Sequence, residues 1–268
     1  MKKVSFVVPV KNGEKFIKKT IDSLLAQSYD NVEIVISNDH STDSTVDIIK
    51  HIARDKNNFT ILNNPKGITG EAATRNYATS KSSGDIILPT DADDPNEKNR
   101  AEVTVDEINR TNADIFYATL THYYEEKQKS ERRFFQPYKK ELLRHINYIN
   151  HAGSSGYTKK TFTRLGGYDE NIKIGTDYDL WLRAQEMGLK FCFQNKALAR
   201  YTIHSGQMTN VNIHERHKWL KIIRKKHSIF SVSEKYVRDN ANKKTVDIFI
   251  NNKYYRNIWF SDESIPRA

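Results

Sequence analysis

The sequence predicts an α/β fold in which a mostly parallel sheet is flanked by helices. Apolar runs of strand length alternate with segments of helical periodicity over the first third of the chain, which is the pattern of successive strand-helix units. Polar residues directly follow three of the strands: Asn12, Asp39 and the acidic run 91–94. Because ligands bind outside the carboxyl ends of the strands in an open parallel sheet, these residues are expected to converge on a nucleotide pocket.

Each element is predicted from its own apolar pattern and the turn residues that follow it. The predicted order is strand Val4–Val10, a helix with Phe16, Ile17, Ile21, Leu24 and Leu25 at helical spacing, strand Val32–Ile36, a helix from near Ser41 with Val46, Ile49 and Ala53 on one face, and strands Phe59–Leu62 and Asp85–Leu88. Farther along, Gly188 ends a predicted helix over 177–187.

Three carboxylates stand within four residues at Asp91, Asp93 and Asp94, immediately after a predicted strand. They repel one another unless solvent, hydrogen-bond donors or a cation offsets the charge. Oxygen ligands favour Mg²⁺ or Mn²⁺, and such ions bind through one or two carboxylates together with substrate phosphates. The cluster therefore indicates a cation site with a diphosphate ligand. The alternative is a solvated acidic turn that caps a helix opening at Pro95.

Several other classes of protein find no support in the sequence. No Gly-x-Gly-x-x-Gly segment follows the first strand and no Gly-x-x-x-x-Gly-Lys-Ser/Thr occurs, which argues against the dehydrogenase and P-loop classes. The single cysteine, Cys192, predicts a buried thiol without an internal disulfide. No apolar stretch suits a signal peptide or a membrane span, so a cytoplasmic location is expected.

Six motifs together resemble family 2 glycosyltransferases of the GT-A fold, a Rossmann-like α/β architecture. The first four are VVPVKNG at 7–13, SNDHSTDST at 37–45, TRNYA at 74–78 and DADD at 91–94. GGYDE at 166–170 and GTDYDLWLR at 175–183 resemble the family's "GGFDE" and "ED-x-DLWLR" segments. The resemblance covers roughly the first 210 residues, and it implies a glycosyltransferase domain over 1–210 with a C-terminal extension over 211–268.

The resemblance also implies which residues bind the donor. Pro9 and Val10 would line the base pocket beside Asn12, Asp39 would hydrogen-bond a uracil ring, and Arg75 would approach the nucleotide. A UDP-sugar is then the expected donor. Two ordinary structural roles remain open, because Asp39 suits an Asx turn before a helix and Arg75 suits an exposed helix face.

The family pattern implies that Asp93 ligates Mn²⁺ or Mg²⁺ directly, while Asp91 contacts the ribose or a metal-bound water. The cation would neutralise charge on the departing nucleoside diphosphate. His204 resembles a late "H-x-x-S" position that adds a metal ligand in some relatives, and imidazole can serve such a site. A purely structural histidine after a strand is the alternative.

Asp177 is the candidate general base. A carboxylate that takes the proton of an acceptor hydroxyl during attack contributes roughly 10²- to 10⁴-fold, and attack opposite the leaving group inverts the anomeric centre. The family usually places Glu before this Asp, whereas Thr176 stands here, which leaves the acceptor class open. The alternative is that Asp177 and Asp179 only enrich a first helical turn, where acids favour the helix dipole.

Two further segments carry open alternatives. The small-residue stretch 151–156 resembles a segment whose backbone could approach the donor sugar, and a plain loop explains it equally well. Trp181, between Leu180 and Leu182, is predicted to lie in the core, with stacking on an acceptor sugar as the alternative.

The basic charge is concentrated near the C-terminus. Residues 200–268 hold 14 Lys and Arg against 6 Asp and Glu, a net +8 of the chain's +10. The stretch 213–230 has the pattern of a basic amphipathic helix, which suits an anionic membrane or a phosphate-rich acceptor, or else packs on the main domain with a solvated basic face. Residues 240–244 resemble a linker. The aromatic stretch 245–260 is expected to pack against another surface, and another subunit of a homo-oligomer is one candidate for that surface.

These observations predict a metal-dependent, inverting glycosyltransferase that moves a sugar from a UDP-sugar to a glycan or lipid-linked acceptor. Bacterial-type surface glycan synthesis, in the cytoplasm or at the inner face of the membrane, is the expected setting. A nucleotidyltransferase would carry a Gly-x-Gly-Thr-Arg-like loop, where Pro-Val-Lys-Asn-Gly stands instead. The net charge also allows a glycosyltransferase acting on nucleic acid, or a nucleic-acid-binding module, although no recognition helix, zinc spacing or aromatic RNA-binding motif is present.

Overall fold

A computed structural model describes residues 1–133, 135–149, 152–207 and 213–260. The first part of the chain alternates strands and helices: β1 (Val4–Val10), α1 (Ile17–Leu25), β2 (Val32–Asn38), α2 (Thr45–Ala53), β3 (Phe59–Asn63), α3 (Glu71–Lys81), β4 (Ile86–Pro89) and α4 (Arg100–Thr111). The predicted elements of this part are confirmed. Helix α2 begins at Thr45 rather than near Ser41, because Asp43 accepts the Thr45 N–H (3.1 Å) and closes a turn ahead of the helix.

After α4, strands and helices no longer alternate regularly along the chain. They are β5 (Ile115–Tyr124), β6 (Lys129–Arg133), α5 (Lys140–His145), a 3-10 turn (Ala152–Ser154), β7 (Ser155–Thr158), α6 (Lys159–Leu165), α7 (Thr176–Glu186), β8 (Phe191–Ile203), α8 (Ile213–Lys226), α9 (Glu234–Asn240), α10 (Lys243–Val246), a π-helix (Asp247–Asn251) and α11 (Lys253–Phe260). The predicted helix before Gly188 is confirmed as α7.

Within the described residues, eight strands form one sheet in the order β3-β2-β1-β4-β7-β5-β6, and β8 pairs with β5. Strands β1 to β4 are mutually parallel and β8 is parallel to β5, whereas β7 and β6 pair antiparallel with their neighbours. The predicted mostly parallel sheet is therefore confirmed. Because β1, β2 and β4 run in one direction, the loops that follow Val10, Asn38 and Pro89 meet at one edge of the sheet.

Pro9 lies in a central strand without breaking the sheet. Strand β1 pairs with β4 only as far as Val7 opposite Pro89. Pro9 lies two residues farther along and has no paired residue on β4. Its missing N–H therefore removes no hydrogen bond between β1 and β4.

Hydrophobic residues cover both faces of the sheet. Alternate residues of β1 point to opposite sides, so Phe6 packs with α1 and α4, while Val7 packs with α3 and α7. Trp181 is fully buried in the second of these clusters, and its indole N–H donates to the Ile149 carbonyl (3.2 Å). The prediction that Trp181 and its two leucine neighbours belong to the core is confirmed.

No helix begins at Pro95. Residues 95–97 pair with β8 instead: Arg200 N–H donates to the Pro95 carbonyl (2.8 Å), and Asn96 forms an antiparallel bridge with Ala199. The alternative of a capped helix at this position is wrong, because the partners of the segment lie on a strand far along the chain where no local pattern reveals them.

The C-terminal region packs against the rest of its own chain. Phe249, Ile250 and Ile258 are buried in the same hydrophobic cluster as Trp181. The predicted linker at 240–244 is wrong, since α9 runs to Asn240 and α10 begins at Lys243. The described part of the aromatic stretch therefore packs on the core of its own chain and does not require a second subunit. The division of the chain into two domains at residue 210 stays a prediction. Among the described residues, no helix is long and apolar enough to cross a bilayer.

Candidate active site

The loops after β1 and β2 are tied together by Asn12. Its backbone is left-handed (φ 51°), its side-chain oxygen accepts the Thr42 N–H (2.8 Å), and its own N–H donates to Ser41 Oγ (2.9 Å). Asn12 thus shapes the loop beside the predicted base pocket by contacts within the protein. Pro9 is half-buried and Val10 is buried at the same strand end, and the Val10 carbonyl accepts the Asp39 N–H (2.8 Å).

Asp39 lies directly after β2 and is only 5% exposed. Its Oδ2 accepts the Gly70 N–H (2.9 Å) and the Thr69 hydroxyl (3.3 Å). Its Oδ1 is buried and has no hydrogen-bond partner within the described residues. A buried acceptor without a donor is costly, so this oxygen indicates a donor group supplied by a ligand. The Asx turn offered as the alternative is made by Asn38, whose side chain accepts the Ser41 N–H (3.0 Å).

Arg75 is fully buried rather than on an exposed helix face, so the structural alternative for it is wrong. Its guanidinium pairs with Asp91 (2.5 Å) and Glu71 (2.7 Å), and it lies 5.1 Å from the ring centre of Tyr168. Burial disfavours the charged form, but these two carboxylates outweigh it and raise the pKa of Arg75 well above its usual value. Arg75 therefore anchors Asp91, the first residue of the acidic loop, to α3.

Asp93 and His204 meet across the candidate cation site. His204 Nε2 lies 2.9 Å from Asp93 Oδ2, and the imidazole packs on the Phe16 ring at 4.3 Å between centroids. The Gly206 N–H donates to Nδ1 (3.2 Å), so Nδ1 is engaged within the loop and Nε2 is the ring nitrogen that faces Asp93. The structure thus brings together two of the predicted ligands, which stand 111 positions apart in the chain.

The acidic loop has the electrostatics of a cation site. Burial and, after it, the charge of Asp91 raise the pKa of Asp93, although the hydrogen bond with His204 opposes this shift. A carboxylate destabilised in this way gains from a nearby cation. Within the described residues, no group of three or more His, Cys, Asp and Glu is arranged to hold a metal ion. The Asp93–His204 pair, with Asp91 in the same loop, therefore suits only an ion that takes the rest of its coordination from water and substrate phosphate, as Mg²⁺ and Mn²⁺ commonly do.

Two buried residues hold the acidic loop in place. Asp94 is 1% exposed and accepts the Thr202 N–H (2.7 Å), which fastens the loop to β8. Arg100 donates to the Pro89 carbonyl (2.9 Å) and the Ser155 carbonyl (2.8 Å). Burial lowers the pKa of Arg100 to about 9, while the charges of Asp91 and Asp94 oppose the shift. Sequence reasoning missed Arg100, because its partners come from two strands that only the sheet brings together.

Asp177 is the second residue of α7 and is half-buried, and its Oδ1 accepts the Tyr178 N–H (2.8 Å). Burial, opposed by the charge of Arg75, raises the pKa of Tyr168 to about 12, and the charge of Asp177 contributes to the rise. Asp177 is thus electrostatically linked to Tyr168, which packs on Arg75, which in turn holds Asp91. The candidate base and the acidic loop border one cluster of side chains.

The small-residue stretch before GGYDE has a packing reason. A Cβ on Gly156 would lie 2.5 Å from Leu88 Cδ2 and 3.3 Å from the Ile87 carbonyl oxygen, so a larger residue would force the buried Leu88 to move where β7 packs against β4. Ser155 is fully buried. Asn150 and His151 lie outside the described residues, as do Met208 and Thr209 of the segment after His204.

Thr69 and Gly70, the donors to Asp39, were also missed from the sequence. Two glycines three positions apart, Gly67 and Gly70, both with positive φ, mark the turn that presents them. Glycines at that spacing before α3 are the signal that could have indicated an N–H-presenting loop.

Comparison with known proteins points to one family. The model of glycosyl transferase family 2 matches residues 5–166, which is more than half of the chain. The chain is 29% identical over 222 residues to an uncharacterized glycosyltransferase of Rickettsia typhi, a match that covers 79% of this chain and 67% of the relative. It is 28% identical over 237 residues to the UDP-Glc:alpha-D-GlcNAc-diphosphoundecaprenol beta-1,3-glucosyltransferase WfaP of Escherichia coli, covering 88% of both chains.

Solved structures with the same fold include glycosyltransferases that were crystallised with nucleotide sugars. S. aureus TarS 1–349 in complex with UDP-GlcNAc superposes with a TM-score of 0.70 at 18% identity, over 96% of this chain and 79% of that one. The mannosyltransferase PcManGT from Pyrobaculum calidifontis, in complex with GDP-Man and Mn²⁺, gives a TM-score of 0.67 at 15% identity, over 96% and 73%. The predicted GT-A fold is confirmed. With its sheet, its acidic loop and its match to the family model, the chain belongs to glycosyl transferase family 2.

Proposed function

We propose that this chain transfers the sugar of a UDP-sugar to an acceptor hydroxyl, with inversion at the anomeric carbon. The observation that carries the proposal is the buried Oδ1 of Asp39, which has no donor within the described residues. Uracil offers a ring N–H donor between two carbonyl acceptors, whereas cytosine has an unprotonated nitrogen at that ring position. A lone acceptor oxygen therefore suits the ring N–H of uracil better than the unprotonated ring nitrogen of cytosine. TarS was solved in complex with UDP-GlcNAc, which supports a uridine donor. PcManGT is in complex with GDP-Man, so base selectivity is the property to test.

Asp93, Asp91 and His204 would hold Mn²⁺ or Mg²⁺ together with the diphosphate of the donor. When bound, the cation would supply Lewis-acid neutralisation of charge on the departing diphosphate. The chain's own contribution is to orient these groups: Arg75 holds Asp91 at 2.5 Å, and the backbone N–H of Thr202 holds the neighbouring Asp94. The Mn²⁺ named for PcManGT supports a divalent ion in this fold.

Asp177 would take the proton of the acceptor hydroxyl as that oxygen attacks the anomeric carbon. The bond from the anomeric carbon to the diphosphate oxygen breaks on the opposite face, so the product has inverted configuration. The position of Asp177 at the start of α7, partly exposed and electrostatically linked to Tyr168, supports this role. A positioned carboxylate base contributes about 10²- to 10⁴-fold to such a step.

The acceptor we propose is a lipid-linked or surface glycan at the inner face of the membrane. The diphosphoundecaprenol-linked acceptor in the name of WfaP supports this class. On α8, Lys218, Lys221 and Ile222 are exposed on one side of the helix and would contact an anionic bilayer. Cosedimentation should show binding to vesicles of phosphatidylglycerol and phosphatidylcholine but not to phosphatidylcholine alone, and Lys218→Gln with Lys221→Gln should weaken it by about 30-fold.

The test of the proposed function is calorimetric titration of UDP, CDP and GDP with Mn²⁺, repeated in EDTA. UDP should bind more tightly than CDP and GDP, and chelation should remove most of that binding. Asp39→Ala should weaken UDP binding by about 10- to 100-fold, because a hydrogen bond to a charged acceptor is lost. Asp30→Ala, at an exposed acid, is the matched control. Equal affinity for the three nucleotides would contradict base recognition by Asp39.

A further inference from the structure

The first turn of α7 contains a second acid, Asp179, that the proposed chemistry does not use. Its side chain is fully buried, and Arg183 of the same helix donates to its Oδ2 (2.8 Å). Its Oδ1 contacts Lys226 Nζ at 2.7 Å and His227 Nε2 at 2.9 Å. Two of the three partners thus come from the end of α8, in the C-terminal region. Asp179 stands two positions after Asp177, so the same contacts fasten the turn that carries the candidate base.

Lys226 also reaches the opposite wall of this cluster. Its Nζ lies 2.7 Å from Oδ2 of Asp169, in the GGYDE loop. The neighbouring Tyr168 donates its backbone N–H to Asn76 Oδ1 (2.9 Å), and its ring packs on Arg75. One ammonium group therefore joins the helix that carries the base to the loop that packs on Arg75, the partner of Asp91.

His227 extends the contact along α7. Its Nδ1 lies 2.8 Å from Glu186 Oε1, so the imidazole spans carboxylates in the first and the last turn of that helix. On the same face of α8, Ile223 packs on the residue before α7: a Cβ added to Gly175 would lie 3.0 Å from Ile223 Cδ1. Ile223, Lys226 and His227 stand at positions i, i+3 and i+4, which places all three on one helix face.

Asp179 and His227 are buried, whereas the Lys226 side chain is 35% exposed. A set of charged side chains around a buried acid is a costly way to hold two helices together, because apolar side chains of similar volume often stabilise as much. What such a set adds is direction, since each hydrogen bond fixes an angle as well as a distance. In this cluster the directed contacts join the start of α7, which carries Asp177, to Asp169 of the GGYDE loop.

We propose that Lys226 and His227 are positioning residues for the transfer step, supplied by the C-terminal region to fix the first turn of α7 against the GGYDE loop. The inference rests on the proposed role of Asp177 as the base. In this arrangement the C-terminal region completes the active-site wall, in addition to any contact it makes with a membrane. A displacement of about 1 Å at a reacting group can cost about 100-fold in rate, so loss of the Lys226 contacts should lower kcat far more than it changes donor affinity.

The test uses the full chain and hydrolysis of UDP-glucose and UDP-GlcNAc with Mn²⁺, so that no acceptor is needed. Lys226→Met should lower kcat for hydrolysis by about 10- to 100-fold and leave the donor KM and the UDP affinity within about twofold. Lys226→Arg keeps a cation within reach of both acids and should recover most of the lost kcat. Lys225→Met is the matched control, because Lys225 is exposed on α8 and has no ion pair within the described residues.

Hydrogen exchange measured on the same variants separates the possible failures. Lys226→Met should speed exchange in peptides covering 166–172 and 176–186, whereas Lys225→Met should not. His227→Gln should affect 176–186 alone, and it serves as the second variant if Lys226→Met does not fold. Unchanged exchange in both segments, or unchanged kcat, would overturn the positioning role. Absence of hydrolysis by the unaltered chain would instead count against the proposed function. The exchange rates would still show whether Lys226 holds α7 against the GGYDE loop.

Discussion

Three carboxylates of the candidate site have different partners, and those partners give each carboxylate a different electrostatic environment. Asp39 accepts hydrogen bonds at one oxygen and leaves the other, buried oxygen for a donor outside the described residues. Asp91 is held by a buried guanidinium, whereas Asp93 faces an imidazole. Side chains of the same type thus differ in charge environment and burial, which is why we propose a different role for each of them.

Asp177→Asn should abolish transfer and leave nucleotide binding intact. The amide cannot take a proton from the acceptor, so kcat is expected to fall by about 10²- to 10⁴-fold. Steady-state kinetics with a UDP-sugar and calorimetry with UDP measure the two effects separately. Asp22→Asn, at an exposed acid of α1, is the control. Wild-type turnover in Asp177→Asn would show that another group is the base.

Arg75→Met should destabilise the protein strongly, because Asp91 and Glu71 both lose their buried cationic partner. Removing one member of a buried ion pair typically lowers the free energy of unfolding by about 3 to 5 kcal/mol. Urea denaturation at neutral pH measures the loss. Arg110→Met, at a solvent-exposed arginine whose ion pair among the described residues is with its helix neighbour Glu107, should leave the midpoint unchanged. A small effect for Arg75→Met would mean that the loop repacks without the guanidinium.

At the scale of elements, ionic side chains join segments that the sheet alone does not hold together. Arg75 links α3 to the acidic loop, and Lys226 links α8 to both α7 and the GGYDE loop. Glu33 adds a link between neighbouring strands at their amino ends, where it accepts hydrogen bonds from Ser5 on β1 and from Ser83 before β4. Such links make the relative placement of elements depend on ionisation.

Stability should fall in acid partly through Glu33. Burial acts to raise the pKa of Glu33, but hydrogen bonds from Lys3, Ser5 and Ser83 outweigh it and lower the pKa to about 2. Because the folded pKa lies below the unfolded value of about 4.3, this stabilisation is complete above about pH 5 and is lost as the pH falls toward 2.

Urea midpoints at pH 6 and at pH 3 measure this effect, and Glu33→Gln should show a smaller difference between the two than the unaltered chain. Glu126→Gln, at an exposed glutamate of the turn after β5, is the control and should keep the full difference. An identical pH difference in Glu33→Gln and the unaltered chain would assign the acid sensitivity to other carboxylates.

At the scale of the whole molecule, the C-terminal helices and the sheet share one core. Phe249 is 4% exposed and lies in the cluster that contains Trp181, and its ring contacts Trp259 edge-on at 5.9 Å. The described part of the C-terminal region is therefore expected to fold and unfold together with the sheet, which makes this region a support for α7 as well as a basic surface.

Phe249→Ala should lower the free energy of unfolding by about 3 to 5 kcal/mol, since it leaves a cavity in a closed core. Phe230→Ala is the matched control, because that ring is 59% exposed. Chemical denaturation followed by tryptophan fluorescence would also show whether one transition or two occur. A separate early transition that carries the whole effect of Phe249→Ala would indicate that the C-terminal region unfolds independently.

Local sequence was sufficient for the elements whose pattern is local. The alternation of apolar runs and amphipathic segments predicted β1 to β4 and the helices α1 and α2, since each side chain's face follows from its spacing along the chain. The carboxyl-edge rule then brought Asn12, Asp39 and the acidic run to one place. The Pro95 helix and the 240–244 linker were wrong for the same reason, because the partners that determine those segments are distant in sequence.

By itself, the sequence determined the fold class, the family and the residue types that gather at the edge of the sheet, because periodicity and motif order are properties of the chain. Only the tertiary structure decided which partner each of those residues has: that Arg75 is buried against Asp91, that His204 faces Asp93, and that Lys226 joins Asp169 to Asp179. These pairings span long stretches of chain, so they arise from the packing of strands and helices rather than from any local pattern.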